Sequence, residues 1–208
     1  ETIAALGAAS VVPLAVKSPD IVPQTLGLES NISVLTISSD VDVKRLDRVE
    51  NTLTHLNAKT GLQINWSHIG NLDVSRDWFM NKDCHYGDRK HLGTMTHEEI
   101  GLLLTHNPPL FIFFASDHEG IPYSMLQAMA HGVPAIAVDT GAIRDVNFSG
   151  FSWLLEREAS DQQFAEQIAS QLHAIASKRI REEVKAEVRL QFSPPRTSQK
   201  LRDAFFDS

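Results

Sequence analysis

The run Leu110-Phe-Ile-Phe-Phe-Ala115 is apolar at every position. A strand with one face in water would alternate, so this run predicts a central parallel strand covered by helices on both faces. Neighbouring segments keep to that plan. Ile32-Ser-Val-Leu-Thr-Ile-Ser38 is β-branched and mostly apolar, and Leu46, Val49, Leu53 and Leu56 then recur at helical spacing up to a stop at Gly61. Leu62 to Ile69 reads as a second strand ending at Gly70, and Thr96 with Glu99 predicts a capping box for a short helix carrying Ile100, Leu103 and Leu104. Beyond the apolar run, a helix is expected to begin at Pro122 and stop near Gly132, followed by strands at Val133 to Val138 and Trp153 to Leu155. Ser160 with Gln163 should cap a long helix whose inner face is Phe164, Ile168, Leu172 and Ile175.

Strands alternating with helices over this length predict an α/β fold, a Rossmann-like doubly wound parallel sheet whose ligands bind beyond the carboxyl ends of the strands. Two stretches stand outside the alternation: Asn71 to Lys90, which is polar and irregular, and Lys178 to Ser208, which is charged and broken by Pro194-Pro195. With 208 residues there is room for one such domain. The expected division is a linker over 1–30, the domain over 31–192 and a closing helix over 193–208, with Leu201, Phe205 and Phe206 on the apolar side of that helix. Ile3 to Val16 is too short to span a bilayer and lacks the charged start of a signal peptide, so a chain opening at Glu1 is expected to begin part-way through a longer protein.

A net charge of −7 argues against a nucleic-acid backbone as partner, since phosphate binding on that scale comes with a basic face. The single cysteine, Cys84, excludes an internal disulfide framework and Cys-rich zinc sites, and agrees with a reducing compartment such as the cytoplasm. His85, His91 and His97 lack the short paired spacing of a structural metal site and read as solvated loop residues.

Chemistry is to be sought in the loops after the strands. Ser116-Asp-His-Glu-Gly-Ile-Pro-Tyr-Ser-Met-Leu-Gln127 leads from the buried strand into a helix through Glu119 and Gly120. Free N–H groups and the positive dipole end at that helix start suit phosphate oxygens, and Gly120 allows close approach to the backbone. The same residues would also suit a plain strand, turn and helix with an acid favourable to the dipole. Tyr123 and Gln127 share one helix face, where Gln127 could bond a sugar hydroxyl. The loop Ser39-Asp-Val-Asp-Val-Lys-Arg45 offers two cations at the carboxyl edge of the sheet. Asp40 and Asp42 form an Asp-x-Asp pair of a kind that can bind metal, but such pairs are frequent by chance and the surrounding pattern is Rossmann-like.

The stretch from Ser116 to Pro134 resembles the signature of family 4 and related retaining glycosyltransferases, in which Glu-Gly-x-Pro is followed by Glu-Ala-Met-Ala-x-Gly-x-Pro. Thr140-Gly-Ala-Ile-Arg-Asp145 is similar to the next loop of that family, and Val12-Pro-Leu-Ala-Val16 to the link entering its C-terminal domain. The resemblance covers roughly residues 10 to 175 and implies the donor-binding, C-terminal half of a GT-B fold, with a nucleotide-diphosphate sugar as substrate, no metal and no cofactor. It implies that Glu119 faces the donor sugar, that Gly120, Ile121 and Pro122 form the phosphate-binding helix start, and that Gln127 stands where the family has a second, ribose-binding glutamate. Lys44 matches a diphosphate-binding lysine, Ser39 stands at the position of its arginine partner, Arg45 is the cation that could substitute, and Gly70 matches a loop glycine near the donor. The implied partner is an N-terminal acceptor domain of the same protein, without which this chain would be inactive. The implied setting is bacterial polysaccharide or glycan synthesis, in the cytoplasm or peripherally on the inner membrane face. A domain that kept the fold and lost turnover is the other reading, suggested by Ser39 and Gln127. No Gly-x-Gly-x-x-Gly or phosphate-loop motif points to a third chemistry.

Overall fold

The computed structural model describes residues 15–39, 41–72, 79, 84–146 and 152–198, with the side chains of 144–146 and 152 left aside. Six parallel strands form one sheet: β1 (Asn31–Ile37), β2 (Gln63–Ile69), β3 (Gly87–His91), β4 (Phe111–Phe114), β5 (Ala135–Val138) and β6 (Ser152–Leu155). Their order is β3-β2-β1-β4-β5-β6, so the chain winds outward in both directions from the β1/β4 junction. In a doubly wound sheet that junction opens the crevice in which ligands sit.

Among the described residues five helices cover the sheet: α1 (Leu46–Thr60), α2 (His97–His106), α3 (Tyr123–Ala130), α4 (Asp161–Ala176) and α5 (Lys178–Phe192). Strand parity decides which face each residue serves. Val34, Phe111, Phe113, Ile136 and Val138 pack with Leu46, Val49, Leu53 and Leu56 of α1 and with Phe164, Ile168, Leu172 and Ile175 of α4. The alternate residues Leu35, Ile112, Phe114, Ala135 and Ala137 pack with α2, α3 and α5. Because both faces are covered, β4 and β5 are buried at all four positions each, as a continuous apolar run requires. The capping boxes at Thr96/Glu99 and Ser160/Gln163 form as read, and α1 ends at Gly61 in the left-handed region. Helix α3 starts one residue later than expected, with Pro122 as its cap rather than its first residue.

The stretch read as irregular contains the edge strand β3. Its sequence, Gly-Asp-Arg-Lys-His, carries no apolar pattern, and it is held instead by the ladder to β2 and by Arg89, which reaches Glu50 on α1 at 2.7 Å. Tyr86, fully buried just before it, donates its hydroxyl to the same Glu50 at 2.6 Å. Burial, more than any other influence, pushes the Tyr86 pKa well up, so the phenol keeps its proton.

The charged stretch after Ala176 forms α5, anchored by Ile180, Val184, Val188 and Phe192. Arg181 is buried beside the start of β4 and donates to the carbonyls of Pro109 and Leu110 at 3.3 and 3.1 Å, while burial lowers its pKa to about 10. The segment before β1 runs along α5 to the end of α4: Val16 N donates to Phe192 O at 2.8 Å, Lys185 reaches Ile21 O, and Leu26 N donates to Ala176 O, the last residue of α4, at 3.0 Å. Residues 194–198 are helical, whereas Leu201, Phe205 and Phe206 of the expected closing helix lie outside the described residues, as do residues 12–14 of the proposed link. No helix among the described residues is long and apolar enough to cross a membrane.

Candidate functional site at the sheet switch point

The loops after β1, β4 and β5 meet above the β1/β4 junction. After β1 the chain makes a short 3-10 turn (Asp42–Lys44), then passes through Arg45 at φ 50° before entering α1. A left-handed arginine costs roughly 1 kcal/mol. Its guanidinium is fixed at both ends, 2.9 Å from Asp47 and 3.3 Å from Asp117. The hydrogen bond to Asp47 raises the Arg45 pKa. Burial of Asp47 works to raise its own pKa, but Arg45 outweighs this and the net shift is downward.

Two backbone bonds and one side-chain bond stitch the three loops together. Asp117 N donates to Val43 O at 2.9 Å, Thr140 Oγ1 to Asp117 O at 2.6 Å, and Ala142 N to Glu119 O at 3.2 Å. The last contact requires glycine at 141, which has φ 57° and whose absent Cβ would stand 1.8 Å from the Glu119 carbonyl oxygen. Gly70 plays the same part at the end of β2, where a Cβ would stand 1.8 Å from Ser38 O.

In this frame Lys44 and Glu119 face each other across the junction, Nζ to Oε1 at 2.5 Å, with their side chains 21% and 10% exposed. The buried Ser116 hydroxyl donates to the same Glu119 oxygen at 2.8 Å. Beyond Glu119, Gly120 is exposed, and a methyl group added there would meet nothing within 4 Å. Ile121 and Pro122, both half-buried, lead into α3, whose N-terminus has no side-chain cap. Met125 N already donates to Pro122 O at 3.0 Å, so the N–H groups an anion would meet at this start are those of Tyr123 and Ser124.

Among the sequence candidates, Ser39, Lys44, Glu119, Gly120, Ile121 and Pro122 belong to the loops that flank this junction. Ser39 is exposed, and its carbonyl accepts from Val41 N at 3.1 Å; Asp40 lies outside the described residues. Arg45 is directed to Asp47 and Asp117. It also lines a polar cavity of about 740 Å³ with Asp42, His118, Arg157 and Glu158, and Lys44 and Glu119 are not in its wall. That cavity sets three arginines, Arg45, Arg48 and Arg157, against four carboxylates, Asp42, Asp117, Glu158 and Asp161, so it offers a diphosphate no net attraction.

Two candidates are engaged elsewhere. Gln127 is 6% exposed and donates through Nε2 to the carbonyl of His97 at 2.6 Å, tying α3 to α2. Tyr123 packs edge-on against the His97 ring at 4.7 Å. At the other side Gly70 O accepts from His91 Nε2 at 2.7 Å, and the His91 ring stacks on His68, 5.9 Å between centroids. Thus His91 and His97 each take part in structure rather than sitting free in loops. Sequence reasoning missed Ser116, whose spacing of three from Glu119 was the available signal, and the latch made by Thr140 and Gly141. Among the described residues no three His, Cys, Asp or Glu side chains gather as a metal site would require.

The family description glycosyl transferases group 1 matches residues 29–187. No curated protein sequence matches significantly. Among solved structures the chain is similar to a mutant of S. aureus TarM in complex with fondaparinux, alpha-GlcNAc-glycerol and UDP, at 17% identity and TM-score 0.71 over 92% of this chain and 38% of that one. It is also similar to apo WaaB, a lipopolysaccharide outer core galactosyltransferase, at 16% identity and TM-score 0.74 over 95% and 55%. Anabaena HepE in complex with UDP-glucose gives 16% identity and TM-score 0.68 over 87% and 50%. At such identities the likeness is one of fold, and the chain spans 38% to 55% of the length of these proteins. The matched range takes in every strand and the loops that carry Lys44 and Glu119, and on that ground the chain belongs to the glycosyl transferases group 1 family, with the Rossmann-like fold of a GT-B domain.

Proposed function

We propose that this chain binds the nucleotide-sugar donor of a retaining, metal-independent glycosyltransferase, and that acceptor binding and turnover require a further Rossmann-like domain. One observation carries the reading: a cation and a carboxylate, Lys44 and Glu119, stand together at the switch point beside an uncapped helix start. The transfer breaks the bond from the anomeric carbon to the diphosphate oxygen and forms one to an acceptor hydroxyl oxygen, with the nucleoside diphosphate leaving with the electron pair and taking up the hydroxyl proton. Lys44 and the first N–H groups of α3 are arranged to stabilise the charge that develops on that leaving group. Glu119, held by Ser116, orients the sugar through its hydroxyls. The UDP and UDP-glucose complexes of TarM and HepE support a nucleotide sugar as substrate class. Bacterial glycan synthesis, in the cytoplasm or peripherally on the inner membrane face, is the setting we propose.

A second reading, a binding or scaffolding module without turnover, is favoured by two features. Ser39 brings no charge where the family signature has arginine, and the Gln127 amide is already bonded to His97. Calorimetric titration of the chain in chelator-treated buffer, with a panel of nucleoside diphosphates and nucleotide sugars, tests the first reading. Selective binding of one nucleotide sugar, weakened about tenfold or more by Lys44→Ala and by Glu119→Ala, is the expected result. Binding of no member of the panel would overturn it in favour of the second.

A further inference from the structure

Resting on that donor-site reading, we propose that the Lys44–Glu119 ion pair distinguishes the intact nucleotide sugar from the spent nucleoside diphosphate, because only a ligand bearing the sugar replaces both partners of the pair. The 2.5 Å contact joins two side chains that are largely shielded from water. Glu119 is held in place by Ser116, and Arg45, the adjacent cation, is committed to Asp47 and Asp117. A diphosphate arriving at the start of α3 must therefore take Lys44 from Glu119.

A bare diphosphate offers the released carboxylate nothing in return. Phosphate oxygens and an ionised carboxylate are all acceptors, so Glu119 is left beside like charge in a poorly hydrated position. The sugar changes the balance, because its hydroxyls are donors and give Glu119 charge-assisted hydrogen bonds. Once the sugar has been transferred, Glu119 loses those donors and Lys44 is drawn back to it. The pair then favours departure of the nucleoside diphosphate, so Glu119 acts in product release as well as in sugar placement.

The test compares three matched probes, UDP with UDP-glucose, ADP with ADP-glucose and GDP with GDP-mannose, by titration of wild type, Glu119→Gln, Lys44→Met and the double variant. For the pair that binds, wild type is expected to prefer the sugar nucleotide by about tenfold. Glu119→Gln should tighten the bare diphosphate by about tenfold and abolish that preference, and the gain should shrink to about threefold or less in the Lys44→Met background. Unchanged or weakened diphosphate binding in Glu119→Gln, with wild-type thermal unfolding, would overturn the inference while leaving the donor site standing. An equal gain in both backgrounds would also overturn it, since it would mean plain charge repulsion. Failure of every probe to bind wild type would remove the donor-site reading and the inference together.

Discussion

Gly141 and Gly120 flank the same site yet should respond oppositely to a single added methyl group. At Gly141 the Cβ of alanine would stand 1.8 Å from the Glu119 carbonyl oxygen and 2.9 Å from its carbon, and backbone cannot yield as a side-chain end can. The residue also sits at φ 57°, which costs alanine roughly 1 kcal/mol. Moving the two loops apart breaks the bond from Ala142 N to Glu119 O, worth about 1 kcal/mol, and displaced packing adds about 1 kcal/mol more. Gly141→Ala should therefore lose about 3 kcal/mol, a fall in Tm of roughly 6 to 12 °C for a chain of this size. Gly120→Ala, with nothing within 4 Å of its new methyl, should stay within about 0.5 kcal/mol of wild type. Its effect should appear in ligand titration, where the methyl stands between an anion and the backbone. Urea unfolding at constant m-value measures both. A Gly141→Ala variant as stable as Gly120→Ala would refute the claim that the two loops are in backbone contact.

Burial lowers the His131 pKa below the ordinary value of 6.5, outweighing the bond from its Nδ1 to Gln127 O. Since the unfolded chain then binds the proton more readily, stability should fall as pH drops through 6.5 towards the folded pKa, and His131→Gln should flatten that dependence in unfolding curves from pH 7.5 to 5. Arg181→Met would strip the Pro109 and Leu110 carbonyls of their donor, so a loss of about 2 kcal/mol is expected by urea unfolding. A neutral outcome would mean that relief of the buried charge offsets the lost bonds.

The parts of the fold that the sequence announced are those where burial imposes a period. Leu110 to Ala115 had to be a central strand, and the apolar spacing after Leu46 and after Ser160 had to be helices. Strand β3 was silent because an edge strand needs little apolar surface; its stability comes from ladder bonds and from Arg89 and Tyr86 meeting on Glu50, partners far apart in the chain. Helix α5 was legible in principle. Ile180, Val184 and Val188 recur every fourth residue, but the buried Arg181 and Lys185 beside them disguise the stripe as a charged surface. At the site, motif and spacing pointed to Lys44 and Glu119 separately, whereas their contact is a property of the sheet order, which brings the β1 and β4 loops side by side. The commitment of Gln127 to His97 could not be read from residue type, because an amide suits a sugar hydroxyl and a backbone carbonyl equally.

The stitching of the three loops bears on the thermodynamics of recognition. Val43, Asp117, Glu119 and Ala142 hold one another through main-chain groups, and Thr140 through its hydroxyl, before any ligand arrives. A ligand that docks there has little chain entropy to remove, where an unformed loop would forfeit about 0.5 to 1.5 kcal/mol for each side chain immobilised. Association with this chain should therefore proceed in a single kinetic phase, with a heat-capacity change no larger than the contact area accounts for.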